Sequence, residues 1–121
     1  MGNWTKHVIT IDNAGLYDRD CGPGFDSPSQ VNDMVLREFG RFKDYFIPPI
    51  IQHSDLSIVI IFNGYSGHTS RAFAFGQAIS QNIPGEYRDV VQSAWSPDNN
   101  RLEYAVWRDG KLLDSQSDES C

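Results

Sequence analysis

From Leu56 to Phe62 the chain reads Leu-Ser-Ile-Val-Ile-Ile-Phe, a nearly continuous apolar run of strand length with four consecutive β-branched residues. It leads through a polar, Gly-containing loop, Asn63 to Ser70, into a segment up to Ile83 whose apolar residues recur at helical spacing. That order reads as a buried strand feeding a helix, and it excludes both an all-helical bundle and a disordered chain. Because the run lacks polar alternation, it predicts a strand covered on both faces, with helices on both sides or a second layer against one of them. Thr69 or Ser66 is placed to cap the following helix, whose inner side is Ala72, Phe75, Gly76, Ile79 and Ile83. Pro84-Gly85 ends it.

The rest of the chain supplies partners for that unit. His7 to Asp12 alternates as a strand does, and Asp12-Asn-Ala-Gly15 carries turn residues able to fold Leu16-Tyr17 back as a hairpin. Ser27-Pro28-Ser29-Gln30 reads as a capping box with proline at the first helical position. The stripe Val31, Met34, Val35, Phe39, Phe42 and Phe46 predicts a helix running to about Phe46, stopped by Ile47-Pro48-Pro49. Beyond Pro84-Gly85, the segments Val90 to Trp95, Arg101 to Trp107 and Lys111 to Leu113, separated by Pro97 to Asn100 and Arg108 to Gly110, read as an antiparallel meander. The expected architecture is therefore α+β: one compact domain over residues 1–114, a mixed but mainly antiparallel sheet, and two principal helices. Residues 115–121 read as a polar, disordered tail.

Composition narrows the function classes. The 121 residues suffice for one domain burying roughly two thirds of its unfolded surface. The formal net charge of −6 argues against a nucleic-acid partner. Cys21 and Cys121 do not make a disulfide framework, no apolar run reaches membrane-spanning length, and no signal sequence opens the chain, so a cytoplasmic protein without a membrane partner is expected. His7, His53 and His68 have no Cys or His at ligand spacing, and Asp18-x-Asp20 fails as a calcium loop at Gly22 and Ser29; neither a metal nor any cofactor is expected.

Two constellations carry chemistry. The first is the Asn63 to Ser70 loop, where Ser66, His68, Thr69 and Arg71 gather at a strand end and a helix start. Free backbone N–H groups there suit a phosphate or carboxylate, which makes a small hydrolase or anion-binding enzyme one reading. The pattern Gly64-Tyr-Ser-Gly-His68 lacks the final glycine of a nucleophile elbow, and a plain helix cap explains the same residues. The second constellation is acidic: twelve Asp stand against four Glu, concentrated in turns, and short carboxylates on rigid turns lose little entropy on binding.

A compact acidic α+β domain of this length, without a catalytic signature, looks like bacterial immunity proteins and other small inhibitors. That likeness is one of class and carries no motif. It implies a protein-binding domain that covers a basic partner such as a toxin or nuclease domain, with Asp18, Asp20, Asp26, Asp98 and Asp109 as contacts. A third reading is a structural adaptor or subunit that dimerises through an unpaired sheet edge. Trp4, Trp95 and Trp107 read as core or sheet-face packing.

Overall fold

In the computed structural model, which describes residues 4–12, 27–54, 57–65, 69–83, 89–97 and 101–119, six strands form one antiparallel sheet and two helices pack on it. The elements run β1 (Trp4–Asp12), α1 (Pro28–Phe39), β2 (Ile50–His53), β3 (Ser57–Tyr65), α2 (Thr69–Gln81), β4 (Val90–Ser96), β5 (Arg101–Arg108) and β6 (Lys111–Glu119). Their order across the sheet is β2-β3-β1-β4-β5-β6. The first four strands with α1 and α2 make the split βαβ arrangement of ferredoxin-like folds, and the β5–β6 hairpin extends it past β4. Each helix bridges two parallel strands across an intervening antiparallel one. The right-handed rule for such crossovers puts both helices on one face, where they are found.

The inner face follows strand periodicity. Ile9 and Ile11 of β1, Ile58, Ile60 and Phe62 of β3 and Val90 of β4 meet Val31, Met34 and Val35 of α1 and Ala72, Phe75 and Ile79 of α2. Around Phe75 the rings of Phe39, Phe42 and Phe62 stand 5.4–5.9 Å away centroid to centroid, mostly tilted or edge-on, the geometry ring quadrupoles favour. Glu38, nearly buried, ties the helices together by accepting from Arg41 Nη1 and Asn82 Nδ2 at 3.2 Å each.

Several expectations are corrected. The strand at β3 is covered on one face only: its inner residues are buried, while Val59 and Ile61 are half-buried on the opposite side. Helix α1 stops at Phe39 instead of Phe46. Gly40 bonds back to Leu36 O, and i to i+3 bonds from Arg41, Phe42 and Tyr45 then fold the chain in tight turns. Phe42 and Phe46 reach the core all the same, because Phe46 bridges to Gly64, where an added Cβ would stand 2.6 Å from Phe46 Cδ1. Ser27 is the N-cap and Pro28 the first helical residue, as expected, but the Ser27 hydroxyl makes no cap bond and meets Ser29 Oγ at 3.1 Å. The segment after Pro49 pairs as the short edge strand β2. Residues 115–119, read as tail, continue β6 along β5 to Glu119. The Leu16-Tyr17 hairpin lies outside the described residues.

Helix α2 sits over β4 and β5, and its close approach depends on Gly76. A Cβ there would overlap Gln92 Oε1, and the Gln92 side chain cannot swing clear without losing its 2.9 Å bond from Nε2 to Ala72 O in a fully buried site. Alanine in a helix interior ordinarily gains about 1 kcal/mol over glycine. Here Gly76→Ala is expected to destabilise by about 1–2 kcal/mol, the overpacking outweighing the propensity. Urea denaturation checks the sign, and in the Gly76→Ala/Gln92→Ala pair the losses should sum to less than the two singles.

Candidate interaction surface

The helix-free face of the sheet is built by the alternate residues of each strand. At one end Trp4 and Tyr65, opposite each other on β1 and β3, stack with centroids 4.4 Å apart. The next row crosses four strands as Asn63, Lys6, Trp95 and Leu102, set by the pairings Lys6 with both Asn63 and Trp95 and Trp95 with Leu102. Trp95 is 40% and Leu102 45% exposed, and Ile50 on edge strand β2 reaches 61%. Val8, Val59, Ile61, Val91 and Val106 continue the surface toward the other end. Among the described residues no helix or strand lies over it. On this face Tyr104 donates to Asp114 Oδ2 at 2.9 Å, a bond to the carboxylate that holds the phenol proton and raises the Tyr104 pKa. Arg108 grips Asp89 through two bonds of 2.6 and 3.2 Å at the far end. Contiguous exposed apolar area on this scale marks an interaction site in soluble proteins.

The residues singled out from sequence fare unevenly. Asp18, Asp20, Asp26, Asp98, Ser66 and His68 lie outside the described residues. Asp109 is described. It sits in the two-residue β5–β6 turn with φ 50, followed by Gly110 at φ 77, the paired positive dihedrals of a tight hairpin turn. Helix α2 holds that turn: Gln77 Nε2 donates to Gly110 O at 2.8 Å, and Gly110 N–H donates to Ser80 Oγ at 2.9 Å. The Asp109 carboxylate thus stands beside a glycine whose N–H and C=O are both held by α2.

Thr69 opens α2, and Arg71 lies two residues on, within the first turn, with its guanidinium 4.2 Å from the centre of the Tyr45 ring. The stack gives Arg71 a partner of its own within the fold. His53 Nε2 and Asn32 Oδ1 are 2.7 Å apart, joining β2 to α1, while Asp12 stands in β1 opposite Ser57. Among the described residues no three His, Cys, Asp or Glu side chains cluster as metal ligands, and no helix is long and apolar enough to cross a membrane. Of the tryptophans, Trp107 packs under α2, whereas Trp4 and Trp95 stand on the open face.

No protein-family model, curated protein or solved structure matches this chain.

His7 is the residue that sequence reading passed over. It is fully buried on the inner face of β1, stacked on Phe62 at 4.9 Å and edge-on to Phe73 at 6.1 Å, and neither ring nitrogen has a hydrogen-bond partner. Desolvation pushes its pKa down to about 4, so the ring is neutral at pH 7. A single histidine between Lys6 and Val8 in an alternating strand gives no sign of this beyond its odd-numbered register with Ile9 and Ile11. The unfolded chain takes up this proton near the ordinary histidine value of 6.5, and the folded chain only near 4. Stability from this group is therefore intact above pH 6.5 and is lost as pH falls from there to about 4, by roughly 3 kcal/mol. Comparison of wild type with His7→Leu by denaturation from pH 7 to 4 checks it: the variant should lack that part of the slope.

Proposed function

We propose that this is a protein-binding domain that works by covering a protein surface with its open sheet face. The observation that carries the reading is the exposed pair Trp95 and Leu102, in one row with Lys6 and Asn63 and beside the Trp4–Tyr65 stack, on an antiparallel sheet. Large amphipathic rings on a pre-organised backbone lose little entropy on binding and supply the anchors that dominate interface energies. The turn carboxylate of Asp109, with Asp18, Asp20, Asp26 and Asp98 of the acidic sequence set, adds long-range attraction for a basic partner. Their contribution is to association rate more than to residence time. In this reading the domain acts as an inhibitor or immunity-type protein for a basic toxin or nuclease domain.

The net charge of −6 favours a protein over a nucleic-acid strand as the occupant of the aromatic row, since a strand would bring a phosphate for every stacked base. Immobilised wild type and Trp95→Ala, exposed to extract of the source cells at low and high salt and with nuclease added, test the reading. The wild type is expected to retain a protein that nuclease treatment does not release, and the loss of one anchor should weaken retention by about 2 kcal/mol, some thirtyfold. Retention abolished by nuclease would transfer the face to nucleic acid, and equal retention by both chains would remove the face from the interface.

A further inference from the structure

We propose that the occupant of the open sheet face is a second copy of this chain, stacked face to face as an isologous dimer with the two β1 strands antiparallel. This rests on the reading of the face as a contact surface, assigns that face to a second copy in place of the basic partner, and leaves the basic partner to the acidic turns outside the dimer.

Area is the first argument. Six strands about 4.8 Å apart, most of them seven to nine residues long at about 3.4 Å per residue, give a footprint of roughly 600–700 Å². A stable pairwise interface takes about 800 Å² of accessible surface from each partner, and a side-chain-covered face exposes more than its footprint. Only a partner of similar breadth covers such a face. The middle of the face is lined by Val8, Thr10, Val59, Ile61, Val91 and Val106, side chains of even height that suit sheet stacking at about 10 Å, with strand directions aligned to within about 30°.

Charge is the second argument. The outward residues of β1 are Trp4, Lys6, Val8, Thr10 and Asp12, so opposite charges flank its apolar middle, and both are exposed. A two-fold axis between Val8 and Thr10 sets Lys6 of each copy over Asp12 of the other and buries Val8 and Thr10 between them. An isologous interface must be self-complementary, and this strand is. The turn carboxylate of Asp109, held by α2 on the helix side, stays outside the dimer and open to a basic partner.

The two occupants differ in their salt response. Two chains of net charge −6 repel, so screening should tighten the dimer, whereas it weakens attraction for a basic partner. Sedimentation velocity from about 1 to 200 μM, a range that reads micromolar dissociation constants, is the experiment. The expected result is a dimer whose Kd falls about threefold between 0.05 and 0.5 M salt. Val91→Arg should raise Kd about 100-fold with the circular dichroism unchanged, because each copy would bury an unpaired cation. Lys6→Glu and Asp12→Lys should each weaken the dimer about five- to tenfold, and the double swap should restore it to within about threefold. A monomer at the highest concentration in both salts overturns the proposal, as does a dimer indifferent to Val91→Arg. A monomer that still retains a partner through Trp95 removes the second copy and leaves the binding reading standing; a monomer that retains nothing removes both.

Discussion

Two helices can cover only one face of a six-stranded sheet. Helices pack at 8–10 Å spacing and strands at about 4.8 Å, so α1 and α2 together span four to five strands on the side where their crossovers place them. The inner face accordingly carries the buried set Ile9, Ile11, Ile58, Ile60, Phe62 and Val90. The opposite face is left to solvent with Val8, Val59, Ile61, Val91, Trp95 and Leu102 on it. The packing of the core and the exposure of the candidate surface are two results of one arrangement. A third helix or a second sheet would have hidden the aromatic row; polar residues at those positions would have made the bare face ordinary.

The inner face also carries polar groups at some cost. His7 keeps two ring nitrogens without partners, and Gln92 Oε1 and Trp107 Nε1 are likewise unpaired, all beneath or beside α2. An unmade bond at a buried polar atom costs about 1–3 kcal/mol. Part of this is offset at the hairpin, where Gln77 and Ser80 satisfy both peptide groups of Gly110 and fix β5–β6 to the body of the domain. Gly76 is what lets α2 come close enough for that clamp and for the Gln92 bond to Ala72 O. Stability at this helix is therefore bound to a glycine, a glutamine and a turn, none of which is large or apolar.

The sequence was legible where local chemistry decides structure. The Asp109-Gly110 turn, proline at the start of α1 and the inner stripe of α2 all follow from residue preferences that no distant contact overrides. It was illegible where the outcome depends on what lies alongside. Leu56 to Phe62 reads as a strand covered twice because apolar side chains look the same whether a helix or nothing stands over them. Residues 115–119 read as tail because a polar edge strand gets its order from β5, not from its own composition. Phe42 and Phe46 extend the helical spacing past the true end of α1 because tight turns after Gly40 return them to the same core. For the site, the acidic-turn set is described only at Asp109, and the Trp4 and Trp95 that mark the surface needed the strand register to be told apart from Trp107.

The same register argues for the face over the edges as the place of contact. An unpaired edge is a liability that proteins blunt with short strands, prolines, charges and bulges, and both edges here show such devices. Edge strand β2 is four residues long and follows Pro48-Pro49. Edge strand β6 carries Lys111 and Asp114 and is interrupted where Leu113 falls between the pairings of Leu112 with Trp107 and Asp114 with Val106, a bulge that twists the strand away from a flat partner. No corresponding protection appears at the centre of the open face, where the described rows run from Ile61 through Val8 and from Val59 through Thr10 to Val91 without a charged side chain. A chain that guards its edges and leaves its face apolar is shaped for side-chain contact across a layer. Backbone pairing along a margin would call for the reverse.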